Sequence, residues 1–140
     1  MSDYTTPTKE KFQAFAALAG TGPVEMLNLI KLRDDAVYSD GTKATGAEAY
    51  RTYGRKTAPI FAALGGKIIW SGRPEMMLIG PDSFEDWDIA FIAQYPDASA
   101  FMTMMRDPEY QAVTHHRTAA IKTSRLIRMT PISAREAFGG

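Results

Sequence analysis

Three adjacent residues in the last third of the chain, His115, His116 and Arg117, have side chains that could move protons or bind an anion. Because neighbouring residues of a helix point about 100° apart, the two histidines cannot chelate one metal ion as an i, i+4 pair does. We therefore predict no metal site. On a helical projection His115 lies nearly opposite Arg117 and should be solvated.

His116 flanks the apolar stripe of the same predicted helix. From there it could reach a cleft and act as an acid or base, since the reference pKa of histidine is near neutrality. The alternative is a histidine at the helix edge, bonded to water or to the backbone. A single histidine could also bind haem, but the sequence contains no recognisable distal pocket, and we predict no cofactor.

Arg117 lies at the centre of the apolar face of this helix, where leucine would be expected. A guanidinium is always charged, so at such a position it needs a carboxylate, carbonyl groups or a bound anion. It could clamp a substrate carboxylate or stabilise an oxyanion such as an enolate. It could instead pair with Asp88 or Glu109, or extend to the helix edge. Both interpretations stay open.

Asn28 is an amide in the middle of the apolar run MLNLIKL, Met26 to Leu32. Strand parity places it on one face with the other even-numbered residues. If that face lines the open side of a sheet, the amide points into a pocket and can orient a carbonyl or hydroxyl. If it meets helices, the amide is a buried group satisfied by Tyr50, Tyr53 or neighbouring backbone. We favour the pocket, because a polar group is costly to satisfy in a dry helix–sheet layer.

Large aromatic and methionine side chains are expected mainly in the core or a dimer interface, where they would also make an adaptable pocket wall. The aromatic candidates for such a wall are Tyr50, Tyr53, Trp70 and Trp87. No dinucleotide, Walker or GxSxG motif is present, and the acidic run RDDAVYSDGTK lacks EF-hand spacing.

Composition narrows the function further. The 140 residues suit one domain, and sixteen Lys and Arg balance sixteen Asp and Glu, which gives no net field toward nucleic acid or an anionic membrane. The absence of cysteine excludes disulfides and thiolate chemistry. The N-terminal residues MSDYTTPTKEKF do not resemble a secretory signal, and no run reaches membrane-spanning length, so we expect a cytoplasmic protein.

The elements that must position these residues follow from periodicity and capping signals. Helices are predicted from Thr6 and Pro7 to Gly20 with an inner stripe of Phe12, Phe15, Ala16 and Ala19, from Thr45 to Gly65, from Pro96 and Asp97 to Met105, and from Asp107 to about Ile121. Strands are predicted at Val24–Leu32, at Lys67–Ser71 continuing after an interruption into Glu75–Ile79, at Asp86–Tyr95 and at Arg125–Thr130.

The resulting β-α-β-β-α-β order, preceded by one extra helix, is that of the ferredoxin-like α+β sandwich with an antiparallel sheet. We expect a single domain over residues 1–140, with an N-terminal helical extension (1–22), a core (23–130) and a C-terminal tail (131–140). In this fold the first and third strands are central, which would place Asn28 mid-sheet beside the strand containing Trp87 and Asp88.

The sequence also resembles the dimeric α+β barrel superfamily, and within it a bacterial family labelled a domain of unknown function. The matching pieces are MLNLIKL, AYRTYG ahead of a GGK turn, and WDIAFIAQYPDASAFMTMMRDPEYQAVTHHRTAA, together from about Val24 to Met129. The resemblance implies a homodimer whose two sheets meet face to face, with a pocket at each sheet. Relatives include cofactor-free monooxygenases, lactone isomerases and haem proteins, so the fold leaves the function open.

Our leading hypothesis is a homodimer that binds a small, partly apolar carbonyl- or carboxylate-bearing molecule. The pocket would be bounded by Asn28, Trp87, Asp88, His116 and Arg117. In a cofactor-free isomerase or monooxygenase, Arg117 and Asn28 would polarise a carbonyl while His116 or Asp88 moves a proton. The alternatives are a non-catalytic small-molecule-binding dimer and a haem protein using His116.

Overall fold

Four antiparallel strands form one sheet in the computed structural model, which describes residues 4–18 and 20–140 of the chain. The strands are β1 (Val24–Leu32), β2 (Lys67–Gly72), β3 (Ile89–Tyr95) and β4 (Ile121–Met129). Their order across the sheet is β2-β3-β1-β4, so the first and third strands are central as predicted. The fold is ferredoxin-like α+β.

The helices pack on one side of this sheet. They are α1 (Lys9–Ala17), α2 (Gly46–Ala63), α3 (Ala98–Arg106), α4 (Pro108–Gln111) and α5 (Thr114–Ala120); a sixth short helix, α6 (Ala134–Ala137), follows the last strand and is exposed. The capping box predicted for α2 is confirmed: the Thr45 hydroxyl accepts from the Glu48 N–H at 3.0 Å, and a Glu48 carboxylate oxygen accepts from the Thr45 N–H at 2.9 Å. Gly65, with φ +79°, follows the helix in the left-handed region that favours glycine.

The N-terminal helix begins later than predicted. Thr8 caps α1, since its hydroxyl accepts from the Lys11 N–H at 3.1 Å, so Thr6 and Pro7 precede the helix. Phe12 and Phe15 are partly buried, whereas Ala16 is exposed. Ala19, the last predicted member of the stripe, lies outside the described residues.

The predicted helix from Asp107 to Ile121 is instead two short helices, α4 and α5, joined by a turn at residues 112–113. The final strand begins at Ile121 and not at Arg125, because Ile121 and Thr123 already pair with the end of β1.

The predicted strand at Glu75–Ile79 is wrong: residues 73–88 form an irregular connection. Only the first part of the predicted second strand pairs with β3, through Gly72 and Ala90. The third strand begins at Ile89 and not at Asp86, because the Asp88 N–H bonds the Ile30 carbonyl outside the regular ladder.

The even-numbered side of β1 faces the helices. Met26 and Ile30 are almost fully buried there, each in a different apolar cluster of the core. The prediction that this face is open is therefore wrong, and Asn28 lies in the helix–sheet layer between the two clusters. Asn28 lies mid-sheet beside β3, as predicted, with Phe91 and Leu126 as its cross-strand partners; Trp87 and Asp88 precede this strand.

Candidate functional site

Asn28 is satisfied locally in this layer. Its amide nitrogen donates to the carbonyl of Met26 at 3.0 Å, which is the neighbouring-backbone alternative for this residue. A strand side chain that bonds its own strand has little freedom to turn toward a ligand. Asn28 therefore lies in the middle of the helix–sheet layer, and its amide is not free to bind a ligand.

On the helix side of the sheet, three tyrosines and Arg117 form a cluster that we call the tyrosine layer (Tyr50, Tyr53, Tyr110 and Arg117). The Tyr53 and Tyr110 hydroxyls share a hydrogen bond of 2.7 Å, and the rings of Tyr50 and Tyr53 lie 5.8 Å apart. Helix α2 supplies the first two tyrosines at i, i+3 spacing, so they share one helical face. Tyr110 comes from α4 and Arg117 from α5.

Burial controls the ionisation of these phenols. It raises the pKa of Tyr50 to about 12 and raises the pKa of Tyr53 well above its ordinary value, because the charged phenolate would lose its hydration. The positive charge of Arg117 acts in the opposite direction on both groups. At neutral pH both hydroxyls are therefore protonated hydrogen-bond donors close to a cation.

The partners of Arg117 in the described part of the chain are neutral. Its guanidinium donates to the backbone carbonyl of Thr5 and, at 3.3 Å, to the hydroxyl of Ser124. Ser124 in turn donates to the carbonyl of Tyr4 at 2.7 Å. Within residues 4–18 and 20–140, no carboxylate lies within ion-pair distance of Arg117. The pairing with Asp88 or Glu109 that the sequence left open is not formed.

His116 lies on the outer side of the same helix. One ring nitrogen, Nδ1, is 2.7 Å from the Tyr38 hydroxyl, and the exposed ring of His115 stacks against it at 4.0 Å between centroids. Burial, and then the charges of His115, Lys56 and Arg55, lower the pKa of His116 below its ordinary value near 6.5. The imidazole is therefore neutral near pH 7.

A cleft of about 320 Å³ opens beside His116, and we call it the histidine cleft. It is lined by Tyr38, Asp40, Thr42, Ala44, Glu48, Ala49, Thr52, His115 and His116. This volume lies at the lower end of the range of small-molecule pockets. Sequence reasoning found the histidine but missed Tyr38, which lies in the loop between β1 and α2, where periodicity carries no information.

The remaining predicted site residues lie by the opposite face of the sheet, which carries Leu27 and Leu29 and which we call the open face. Trp70 faces Ile92 there, and Trp87 lies against the Arg125 guanidinium, 4.9 Å from its ring centre. Asp88 accepts from the Leu32 N–H at 2.8 Å and lies 3.6 Å from the Lys31 ammonium.

The predicted pocket therefore does not form as one site within a protomer. Asn28, Tyr50, Tyr53 and Arg117 lie together on the helix side, and His116 borders the adjacent cleft. Trp70, Trp87 and Asp88 are by the open face. In the described part of the chain no three His, Asp or Glu side chains converge as metal ligands, and no helix is long and apolar enough to cross a membrane.

Comparison with solved structures confirms the fold. Two crystal structures of the RPA0582 protein of Rhodopseudomonas palustris, a protein of unknown function, are 50% and 51% identical to the chain, with TM-scores of 0.92 and 0.89. They cover 96% and 93% of this chain and 98% of their own.

More distant structures share only the fold. A dimeric ferredoxin-like protein of unknown function from Bacteroides fragilis is 17% identical (TM-score 0.51; 79% of this chain and 97% of that one). SnoaB, a cofactor-independent oxygenase of Streptomyces nogalater, is 18% identical (TM-score 0.53; 81% and 96%). The search among curated proteins gives no match. The profile of DUF1330, a domain of unknown function, matches residues 41–129, and the chain belongs to this family.

Proposed function

We propose that the protein is a homodimer that binds a small, partly apolar molecule carrying a carboxylate or carbonyl, with the ligand oxygen at Arg117 in the tyrosine layer. The observation that carries this proposal is the half-buried guanidinium, whose partners among the described residues are all neutral. A cation removed from water gains most from an anionic partner, which the described residues do not provide. A ligand carboxylate would supply it by displacing the Thr5 carbonyl.

The tyrosines suit the rest of such a ligand. No hydrogen bond to the Tyr50 hydroxyl forms within residues 4–18 and 20–140, so this donor is available beside the guanidinium. The rings of Tyr50 and Tyr53, with the two apolar clusters on either side, offer surface to the apolar part. The planar guanidinium of Arg117, with the Tyr50 hydroxyl beside it as a second hydrogen-bond donor, can orient a carboxylate or an enolate.

If the bound molecule reacts, the residues favour chemistry without a cofactor. Arg117 and Tyr50 would stabilise negative charge on a carbonyl oxygen, as isomerisation through an enolate or oxygenation of an enolate requires. His116, neutral and held through Nδ1 by Tyr38, borders the adjacent histidine cleft, so it is our candidate acid or base for a ligand that extends from Arg117 into that cleft. Asp88 does not suit this step, because its carboxylate is bonded to the Leu32 N–H beside the open face.

Thermal unfolding in the presence of small carboxylates and carbonyl compounds tests the binding proposal, since a ligand that binds the native state raises Tm. We expect ligands that stabilise the wild type to lose this effect in Arg117→Gln. Arg128→Gln is the matched control, because Arg128 is another arginine on the helix side with a bond to a backbone carbonyl, that of Phe15. Equal shifts in Arg117→Gln and the wild type would disprove the anion site.

Two further measurements separate the alternatives. Turnover of a stabilising ligand that is lost in His116→Ala while binding persists would identify an enzyme; binding without turnover would favour the non-catalytic dimer. Haem absorbance after reconstitution, abolished by His116→Ala, would favour the haem protein. Sedimentation equilibrium tests the homodimer, and a monomer at all concentrations would exclude it.

A further inference from the structure

The connection between β2 and β3 contains a concentration of exposed apolar side chains. Leu78 is 82% exposed and Ile79 is 91% exposed, and Met76 and Phe84 are also mainly exposed. Single exposed apolar residues are ordinary, but four large ones in nine positions are not, because monomeric proteins rarely leave such groups together in water. We call residues 73–84 the arm.

The backbone of the arm also lacks hydrogen-bond partners in the described part of the protomer. Among the described residues, no hydrogen bond joins residues 73–84 to the rest of the protein. The sequence of Glu75–Ile79 nevertheless favours a strand, and a strand needs a neighbour to satisfy its donors and acceptors. The arm thus has the composition of a packed segment but no hydrogen bond to the rest of the described protomer.

Both ends of the arm are anchored to the sheet. At the start, Gly72 pairs with Ala90 in the ladder between β2 and β3. At the end, Glu85 forms a salt bridge with Arg125 at 3.3 Å, and Asp86 forms one with Lys31 at 3.2 Å.

The two cations that hold the end of the arm place it relative to the sheet. Arg125 pairs with Leu29 and Lys31 is two residues further along β1, so both lie on the open face. The arm therefore joins the sheet on the side opposite helices α1 to α5.

The open face is itself apolar and exposed. Trp70 of β2 and Ile127 of β4 lie on it with about half of their surface in water. A stable dimer buries about 800 Å² per partner, which takes roughly 20 residues a side. The arm and the open face together supply about that number, and they are continuous through β2.

We propose that the arm is a dimerisation element: Met76, Leu78, Ile79 and Phe84 of each protomer pack on the open face of a second copy, beside Trp70 and Ile127. This inference rests on the proposed homodimer and names the segment that holds it together. The occupant is a second copy because the arm and the open face together supply about the number of residues that a stable dimer buries on each side. Two protomers related by a twofold axis would cover both surfaces reciprocally.

Sedimentation equilibrium of Leu78→Asp/Ile79→Asp tests the proposal, since buried carboxylates would oppose the contact. We expect a dimer in the wild type and dimerisation weakened about tenfold or more in this variant. Circular dichroism should be unchanged, because neither side chain contributes to the core of the protomer. The matched control is Ile132→Asp, which places the same charge at a residue 61% exposed outside the arm and should dimerise like the wild type.

If the wild type is monomeric, the proposed homodimer fails and the inference fails with it. If the wild type is dimeric and Leu78→Asp/Ile79→Asp dimerises equally well, the inference alone fails. The two results are therefore distinguishable.

The cysteine-free chain allows a direct test of where the arm lies. Ile79→Cys and Ile127→Cys chains carrying tags of different size are mixed and oxidised. We expect a disulfide-linked heterodimer, and none when Ile132→Cys replaces Ile127→Cys. Disulfides that form only between two Ile79→Cys chains would overturn the placement on the open face.

Discussion

The hydroxyl oxygens of Tyr53 and Tyr110 lie 2.7 Å apart in the interior of the helix layer. This bond joins α2 to α4 next to the only turn in the path from Asp107 to Ile121, and it orients Tyr53 beside Tyr50 and Arg117. Only one of the two hydroxyls can donate to the other. The second proton remains for a further acceptor, such as a ligand oxygen.

A double-mutant cycle measures this bond. Tyr53→Phe and Tyr110→Phe should each lower the free energy of unfolding by about 1 kcal/mol, because each leaves the other hydroxyl without its partner. The double variant should lose less than the sum, since no orphaned hydroxyl remains. Urea unfolding of the four proteins gives the coupling. Strict additivity would show that the two hydroxyls do not stabilise one another.

The sequence predicted the strand order and β1 because their signals are local or follow from the fold class. It misplaced Asn28 because parity tells which residues share a face and not which face the helices cover. Both sides of β1 are apolar: Met26 and Ile30 lie on one, Leu27 and Leu29 on the other. Only the packing of the helices distinguishes them.

The candidate site was predicted in part for a similar reason. Tyr50, Tyr53 and Arg117 fall on helical stripes, so periodicity brings them together. Trp87 and Asp88 precede β3 in an irregular connection. The alternation of a strand does not apply there, so the sequence does not show which face of the sheet their side chains reach. The strand predicted at Glu75–Ile79 reflects a true propensity, but the protomer provides no partner strand.

The stability of the protein should depend on His116 at mildly acidic pH. The pKa of its imidazole is below its ordinary value near 6.5 in the folded protein, chiefly because of burial. The unfolded chain therefore takes up a proton first as the pH falls, and the free energy of unfolding decreases below about pH 6.5.

His116→Gln should remove this contribution, as urea unfolding between about pH 7.5 and pH 5 would show. The control is His115→Gln at the exposed neighbouring position. It should keep most of the decrease, because burial is a larger cause than the charge of His115. The same pH slope in His116→Gln and the wild type would contradict the assignment.

Arg117 should hold the N-terminal segment against β4. Its guanidinium bonds the Thr5 carbonyl, while the Ser124 N–H donates to the Tyr4 carbonyl at 3.0 Å. In Arg117→Gln the first contact is lost, and the Ser124 amide should exchange with solvent several-fold faster. Hydrogen exchange followed by NMR measures this. The Ile92 amide of β3, a strand that lies between β2 and β1 and does not pair with β4, serves as the internal reference and should be unaffected.

Gly46 is the position where a single added methyl should do most harm. A Cβ there would lie 1.9 Å from the Arg33 carbonyl oxygen. The backbone cannot yield easily, because the Arg33 N–H is bonded to the Ala120 carbonyl at 2.8 Å and the Gly46 N–H to the Asp34 carbonyl at 3.1 Å. Gly46→Ala should therefore lower the free energy of unfolding by about 2 kcal/mol or more.

The matched control for Gly46→Ala is Gly54→Ala in the same helix, where nothing lies within 4 Å of an added Cβ. Alanine there should stabilise the protein by about 0.5–1 kcal/mol, because glycine is the poorer helix former. The two variants make the same chemical change in α2, so opposite signs in urea unfolding would isolate the contact with Arg33. If both stabilise, the loop before α2 adjusts freely, and the wall of the histidine cleft that it forms is not fixed by this contact.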